Sequence, residues 1–128
     1  MQKSIALLAT LALGTLSFQA GAAENLNAAQ LKDMFSNKTI DAVNIEKGSK
    51  QSTYFSADGK TIQKTADGKQ KQGVWRVTDK GQQCITWSGE AEVCSTVSAK
   101  GDGTFNRIVG DKATVTIQKM RDGNQLDK

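Results

Sequence analysis

Chemistry in a small protein needs nucleophiles, titratable bases or metal ligands at workable spacings, and this chain has few. Its 128 residues contain no histidine and two cysteines. Without histidine there is no Ser-His-Asp triad, no imidazole base and no His-ligated zinc or haem. Two cysteines fall short of a four-cysteine zinc site or an iron–sulfur cluster. Glu90 and Glu92 stand two apart, a spacing that brings two carboxylates to one face of a strand. Acid–base work on glycosides would need one of them desolvated in a walled cleft. A hairpin tip leaves both in water, so they read as solvated charge. Asp58, Asp67, Asp102 and Asp122 each precede a glycine but none lies in a calcium-loop pattern. Gly59-Lys60-Thr61 resembles the end of a phosphate loop, yet Tyr54 occupies the position of its first glycine. No cofactor or metal is expected, and binding is favoured over catalysis.

The candidates for binding are basic and aromatic. Lys60, Lys64, Lys69 and Lys71 crowd one predicted hairpin with no aromatic residue among them. Nucleic-acid platforms interleave bases with aromatic rings, so nucleic acid is not an expected partner. Lysines on edge strands also block unwanted pairing. Their functional reading is an anionic partner, either an acidic cell-envelope component or the acidic patch of a protein. Trp75 and Trp87 are expected to serve the core, or to line a binding cleft. Arg76 and Arg107 alternate with apolar residues. Alternation alone leaves their facing open, and an inward guanidinium would mark an anion pocket, because burying it unpaired is costly.

These residues must be positioned by the elements around them. Lys3, the apolar run from Ile5 to Leu16, and Ala20-Gly21-Ala22 have the layout of a secretory signal peptide over residues 1–22. The run is about 12 residues, against about 20 for a membrane-spanning helix. A single exported domain, 23–128, is expected in the periplasm or outside the cell, with no membrane span. Loss of Lys3 lowers the net charge slightly from +4. An oxidising compartment favours a Cys84–Cys94 disulfide, with Gly89 as the midpoint of the hairpin between them.

Asn27 with Gln30 predicts a capping box for a helix over 28–36, with Leu31, Met34 and Phe35 on one stripe. Alternating segments then predict eight strands, near 39–45, 52–55, 61–65, 71–78, 83–87, 92–99, 104–109 and 113–118. In the first, Val43 and Ile45 share a face. Asp-Gly at 58–59, 67–68, 102–103 and 122–123 predicts type I′ hairpin turns. The repeated Ala-Asp-Gly-Lys marks two similar turns. Residues 120–128 read as a frayed tail. The fold expected is mainly β: a small antiparallel barrel or strongly curved meander of about eight strands, with the helix over one end and side chains filling most of the interior.

Tyr54-Phe55-Ser56-Ala57-Asp58-Gly59, Gly73-Val74-Trp75-Arg76-Val77, Cys84-Ile85-Thr86-Trp87, Cys94 and Asp102-Gly103 appear in this order. The set resembles an uncharacterised family of small secreted proteobacterial proteins, a domain of unknown function. The resemblance implies a periplasmic or secreted location and brings no catalytic residues. Periplasmic lysozyme inhibitors are similar in architecture alone, since the loop that plugs the enzyme is absent here. The function expected is a non-enzymatic binding module for a protein or anionic envelope component. The alternative is a small-molecule carrier with an internal pocket near Trp75 and Trp87, which would need a cavity of roughly 300 Å3 or more.

Overall fold

A computed structural model describes residues 24–127. The export segment read over 1–22 lies outside the described residues. The chain runs β1 (Glu24–Asn25), α1 (Ala28–Phe35), β2 (Lys38–Asn44), β3 (Lys50–Phe55), β4 (Lys60–Thr65), β5 (Gln70–Val77), β6 (Gln83–Trp87), β7 (Val93–Ala99), β8 (Phe105–Val109) and β9 (Lys112–Asp122). The strands pair antiparallel in the order β1-β7-β6-β5-β4-β3-β2-β9-β8, and β8 pairs again with β7. Strands β2 to β9 therefore close an eight-stranded barrel, as expected. The two-residue β1, which the sequence pattern did not reveal, is an extra strand lying along Ser98 and Ala99 of β7.

Closure follows from the alternation. Trp75 is buried while its neighbour Val74 is 55% exposed. Phe55, Ile85, Val97 and Ile117 point to the same interior. In β2 the inward pair is Ile40 and Ala42, which puts Val43 and Ile45 on the outer face. β9 carries extra residues at two bulges, opposite Asp41/Ala42 of β2 and Arg107/Ile108 of β8. Such bulges bend a strand and raise its twist, which helps a sheet close.

Helix α1 seals one end. Asn27 Oδ1 accepts from the Gln30 N–H, and Gln30 Oε1 accepts from the Asn27 N–H, so the expected capping box is present. Leu31 and Phe35 are fully buried and Met34 packs beside them. Phe35, Phe55 and Trp75 form an aromatic cluster, with Phe55 edge-on to both neighbours at centroid distances of 5.1 and 5.4 Å. Such pairs add about 0.5–1.5 kcal/mol each beyond area burial.

Two sequence expectations are corrected. Among the described residues the left-handed backbone belongs to glycines and Asn37, so Asp58 and Asp67 have negative φ and their turns are not type I′. The Gly59 N–H donates to Ser56 O and the Ser56 N–H to Lys60 O; Thr65, Gly68 and Lys69 repeat this arrangement. This is a type I turn followed by a left-handed glycine, in which only the glycine needs positive φ. The tail is also not frayed. β9 continues to Asp122, the Gly123 N–H donates to Asn37 O, the Gln125 N–H donates to Thr39 Oγ1, and Leu126 is buried.

Candidate functional site

The barrel end opposite α1 carries the turns β2–β3, β4–β5 and β6–β7. Here Ser49, Gln63, Thr65, Lys69 and Lys71 line an open cavity of about 570 Å3. Strand alternation brings Gln63, Thr65 and Lys71 to the inner face of the barrel rim, since Thr61 and Gly73, two residues away, face inward beside Phe55 and Trp87. Asp67 also borders the cavity. The Thr65 hydroxyl and then the Lys69 backbone N–H donate to it, and both hold its carboxyl below the usual value. Its carboxylate is therefore ionised at neutral pH and hydrogen-bonded within its own turn, and Lys69 and Lys71 line the same cavity.

Lys71 has two neighbours of its own. Its Nζ lies 4.7 Å from the centroid of the Trp87 ring and 3.8 Å from Glu90. Both charged side chains are about half exposed, so the ion pair contributes at most about 1 kcal/mol. Trp87 in turn lies over Gly73. A Cβ at that position would meet Thr86 O at 2.4 Å and Trp87 Cε3 at 3.0 Å. The Gly-x-Trp spacing thus leaves room for an indole on the neighbouring strand.

The other lysines of the hairpin are elsewhere. Lys64 is on the outer face, where its Nζ donates to Leu126 O at 3.3 Å beside a cleft of about 230 Å3 shared with Lys50 and Arg121. Lys60 is exposed near the helix end, opposite Val74. The four lysines therefore form no single patch, and only Lys69 and Lys71 share a cavity.

The tryptophans also separate. Trp75 is buried in the aromatic cluster, and its Nε1–H donates to Ser56 O at 2.8 Å. It borders a shallow cavity of about 320 Å3 with Asp58 and Arg76 near the helix end. Trp87 packs against the core toward the other end. None of the cavities described among these residues is lined by both.

The two arginines face opposite ways. Arg76 points outward and makes a bidentate pair with Glu92, at 2.9 Å from each nitrogen. The hydrogen bond from Arg76 lowers the Glu92 carboxyl, and the same bond raises the guanidinium. Arg107 points inward, opposite Val97 and Val115 of the core. Its guanidinium carbon lies 5.6 Å from the Phe35 ring and 5.9 Å from the Phe55 ring. As a residue it is half-buried, but its Nε is sealed and has no hydrogen-bond partner. Burial pushes its pKa down to about 10, so it remains a cation at neutral pH. Gln83 is the residue that sequence reasoning missed. It is fully buried, and neither its Nε2 nor its Oε1 has a partner. Its place two residues before Ile85 on an alternating strand was the available signal.

Cys84 and Cys94 face each other on β6 and β7 and form the expected disulfide, with Cα atoms 3.9 Å apart. Glu92 lies beside their sulfurs, but sulfurs joined to each other offer no thiolate to a metal.

No curated protein and no solved structure matches this chain. Residues 4–124 match the model of a family described as "Protein of unknown function (DUF995)". With nearly its whole length matched, and with the disulfide hairpin and Gly-x-Trp strand in place, the chain belongs to that domain family of unknown function.

Proposed function

We propose that this protein is a non-enzymatic binding module of the periplasm or the secreted space, and that its site is the barrel mouth opposite α1. The partner is an anionic component of the cell envelope, which enters an acidic group between Lys69 and Lys71. The observation that carries this reading is the open cavity of about 570 Å3 whose lining includes Lys69 and Lys71, against one acid, Asp67, that is hydrogen-bonded within its own turn. That volume suits a single acidic sugar unit. The signal-peptide layout of residues 1–22 and the disulfide support an extracytoplasmic setting. Binding is favoured over catalysis because histidine is absent and Glu90 and Glu92 are engaged with Lys71 and Arg76. The internal carrier loses ground, because the lumen beside Trp75 is filled by Phe35 and Phe55.

The test is binding of the mature protein to a polyuronate at increasing salt. Affinity should fall with ionic strength, since exposed charges are screened over about 8–10 Å. Replacing Lys69 and Lys71 by Gln should weaken binding by about tenfold, from roughly 0.5–1 kcal/mol for each exposed contact. Binding that ignores salt, or that survives both substitutions, refutes the reading. Binding confined to acidic proteins reassigns the partner.

A further inference from the structure

Among the described residues, the barrel lumen contains a cation without a counter-charge. Arg107 enters it from β8, with Val97 and Val115 as inward neighbours on either side. The acids that pair with basic side chains do so away from it: Asp41 with Arg121 and Glu92 with Arg76 on the outer face, and Glu90 with Lys71 at the mouth. Phe35 and Phe55 offer ring faces to the guanidinium, and these attract a cation. A ring face does not replace the planar acceptors that match the five N–H donors of a guanidinium. Its Nε has no acceptor.

A second unsatisfied group lies close by. Gln83 is opposite Ser95 on β7, and Arg107 is opposite Val97 on the other side of β7. Both side chains point inward, and with strands about 4.8 Å apart their Cα atoms are separated by roughly 11 Å. Two long side chains directed into one lumen span that distance. The Gln83 amide is completely buried with both its ends unpartnered. A buried amide is normally satisfied by protein or ordered water.

We propose that the lumen binds a small anion, of the size of a halide or a carboxylate group, held between the Arg107 guanidinium and the Gln83 amide N–H. Water alone would satisfy Gln83 and leave the charge on Arg107 unmatched. An anion accepts from both groups and neutralises a half-buried cation whose Nε is sealed from solvent. The downward shift of the Arg107 pKa has burial as its cause and no acidic neighbour to oppose it, in agreement with an unmatched charge. This site lies inside the barrel, apart from the lysines at the mouth, and does not depend on their role.

The probe is bromide. At constant ionic strength, replacing gluconate with bromide should raise the melting temperature of the wild-type protein. Crystals grown in bromide should show its anomalous signal within about 3.5 Å of the Arg107 nitrogens. Acetate in place of bromide tests a carboxylate at the same position. Arg107→Met should weaken bromide binding at least about tenfold, and Arg107→Lys should keep part of it. If Arg107→Met does not fold, Gln83→Leu provides the same test through the second donor. Lys69→Gln and Lys71→Gln should leave the bromide effect intact. Water at Arg107 in bromide crystals, or a bromide effect that persists in Arg107→Met, would overturn the proposal.

Discussion

Gly73 is the position where one methyl group should disturb this barrel most. Its φ is not in the left-handed region, so an alanine there meets no backbone penalty. It would gain about 0.5–1 kcal/mol from lower chain entropy in the unfolded state. Against this, its Cβ would lie 2.4 Å from Thr86 O, 3.0 Å from Trp87 Cα and 3.0 Å from Trp87 Cε3. The indole can rotate away, but the carbonyl belongs to the β5–β6 ladder and moves only with its strand. Overpacking of a core usually costs about 1–3 kcal/mol, and a backbone contact belongs at the upper end. The net for Gly73→Ala is therefore a loss of about 2 kcal/mol. For a domain of about 100 residues this lowers Tm by roughly 8–15 °C. Urea unfolding followed by tryptophan fluorescence reads both the stability and the movement of Trp87. Trp87→Leu in the same chain should relieve the ring contact and leave the carbonyl contact, so rescue should be partial. A Gly73→Ala protein within 0.5 kcal/mol of wild type would refute the steric reasoning, and full rescue by Trp87→Leu would refute the role of the carbonyl.

Two further predictions concern the hairpins. Reducing Cys84–Cys94, or replacing both by Ser, opens a short loop and should cost about 2–3 kcal/mol, read as the shift of the urea midpoint with and without reductant; an unchanged midpoint would show that the strand pairing alone fixes the hairpin. The Asp58, Asp67 and Asp102 carboxyls are all held below their usual value, first by the hydroxyls of Ser56, Thr65 and Thr104, then by backbone N–H groups of their turns. A carboxyl depressed on folding adds stability above its unfolded pKa, near 3.8, and that stability is lost as pH falls through the lower folded value. Stability should therefore decline below about pH 4, and the triple Asp→Asn variant should show a flatter acid limb in pH-dependent melting.

Much of this architecture was legible because a strand lining a closed barrel must alternate. Trp75 against Val74, the stripe Leu31–Met34–Phe35 and the Asn27–Gln30 cap each have a local cause, and each appears as read. The gaps and errors lie where the deciding contact is distant in sequence. Val43 and Ile45 share a face as read, but only the pairing of β2 with β9, with Ile40 and Ala42 inside, decides that it is the outer one. The tail after 120 is polar, yet Thr39, more than 80 residues away, accepts a hydrogen bond from the Gln125 N–H and donates one to Gly123 O. The turns were read as type I′ from Asp-Gly alone. The preceding Ala adds one residue to the loop and moves the requirement for positive φ onto glycine only. For the site, the four lysines are neighbours in sequence, but alternation divides them between the mouth and the outer surface.

Arg107 shows why facing matters more than composition in this molecule. Arg76 and Arg107 have similar sequence surroundings, yet one is outside with Glu92 and the other is inside with two phenylalanines. The inward arginine divides the lumen by polarity. Toward α1 lie Phe35, Phe55 and Trp75, an apolar cluster. Toward the opposite rim lie Gln63, Thr65 and Lys71, which leave the mouth polar and cationic. A barrel built this way is sealed at one end and basic at the other, so the proposed acidic partner would meet the open mouth and the proposed small anion would meet the guanidinium behind it. The two attractions have the same sign and lie at different depths. Neutralising the mouth should therefore change how a large polyanion binds, while neutralising Arg107 should change how the folded barrel responds to halide.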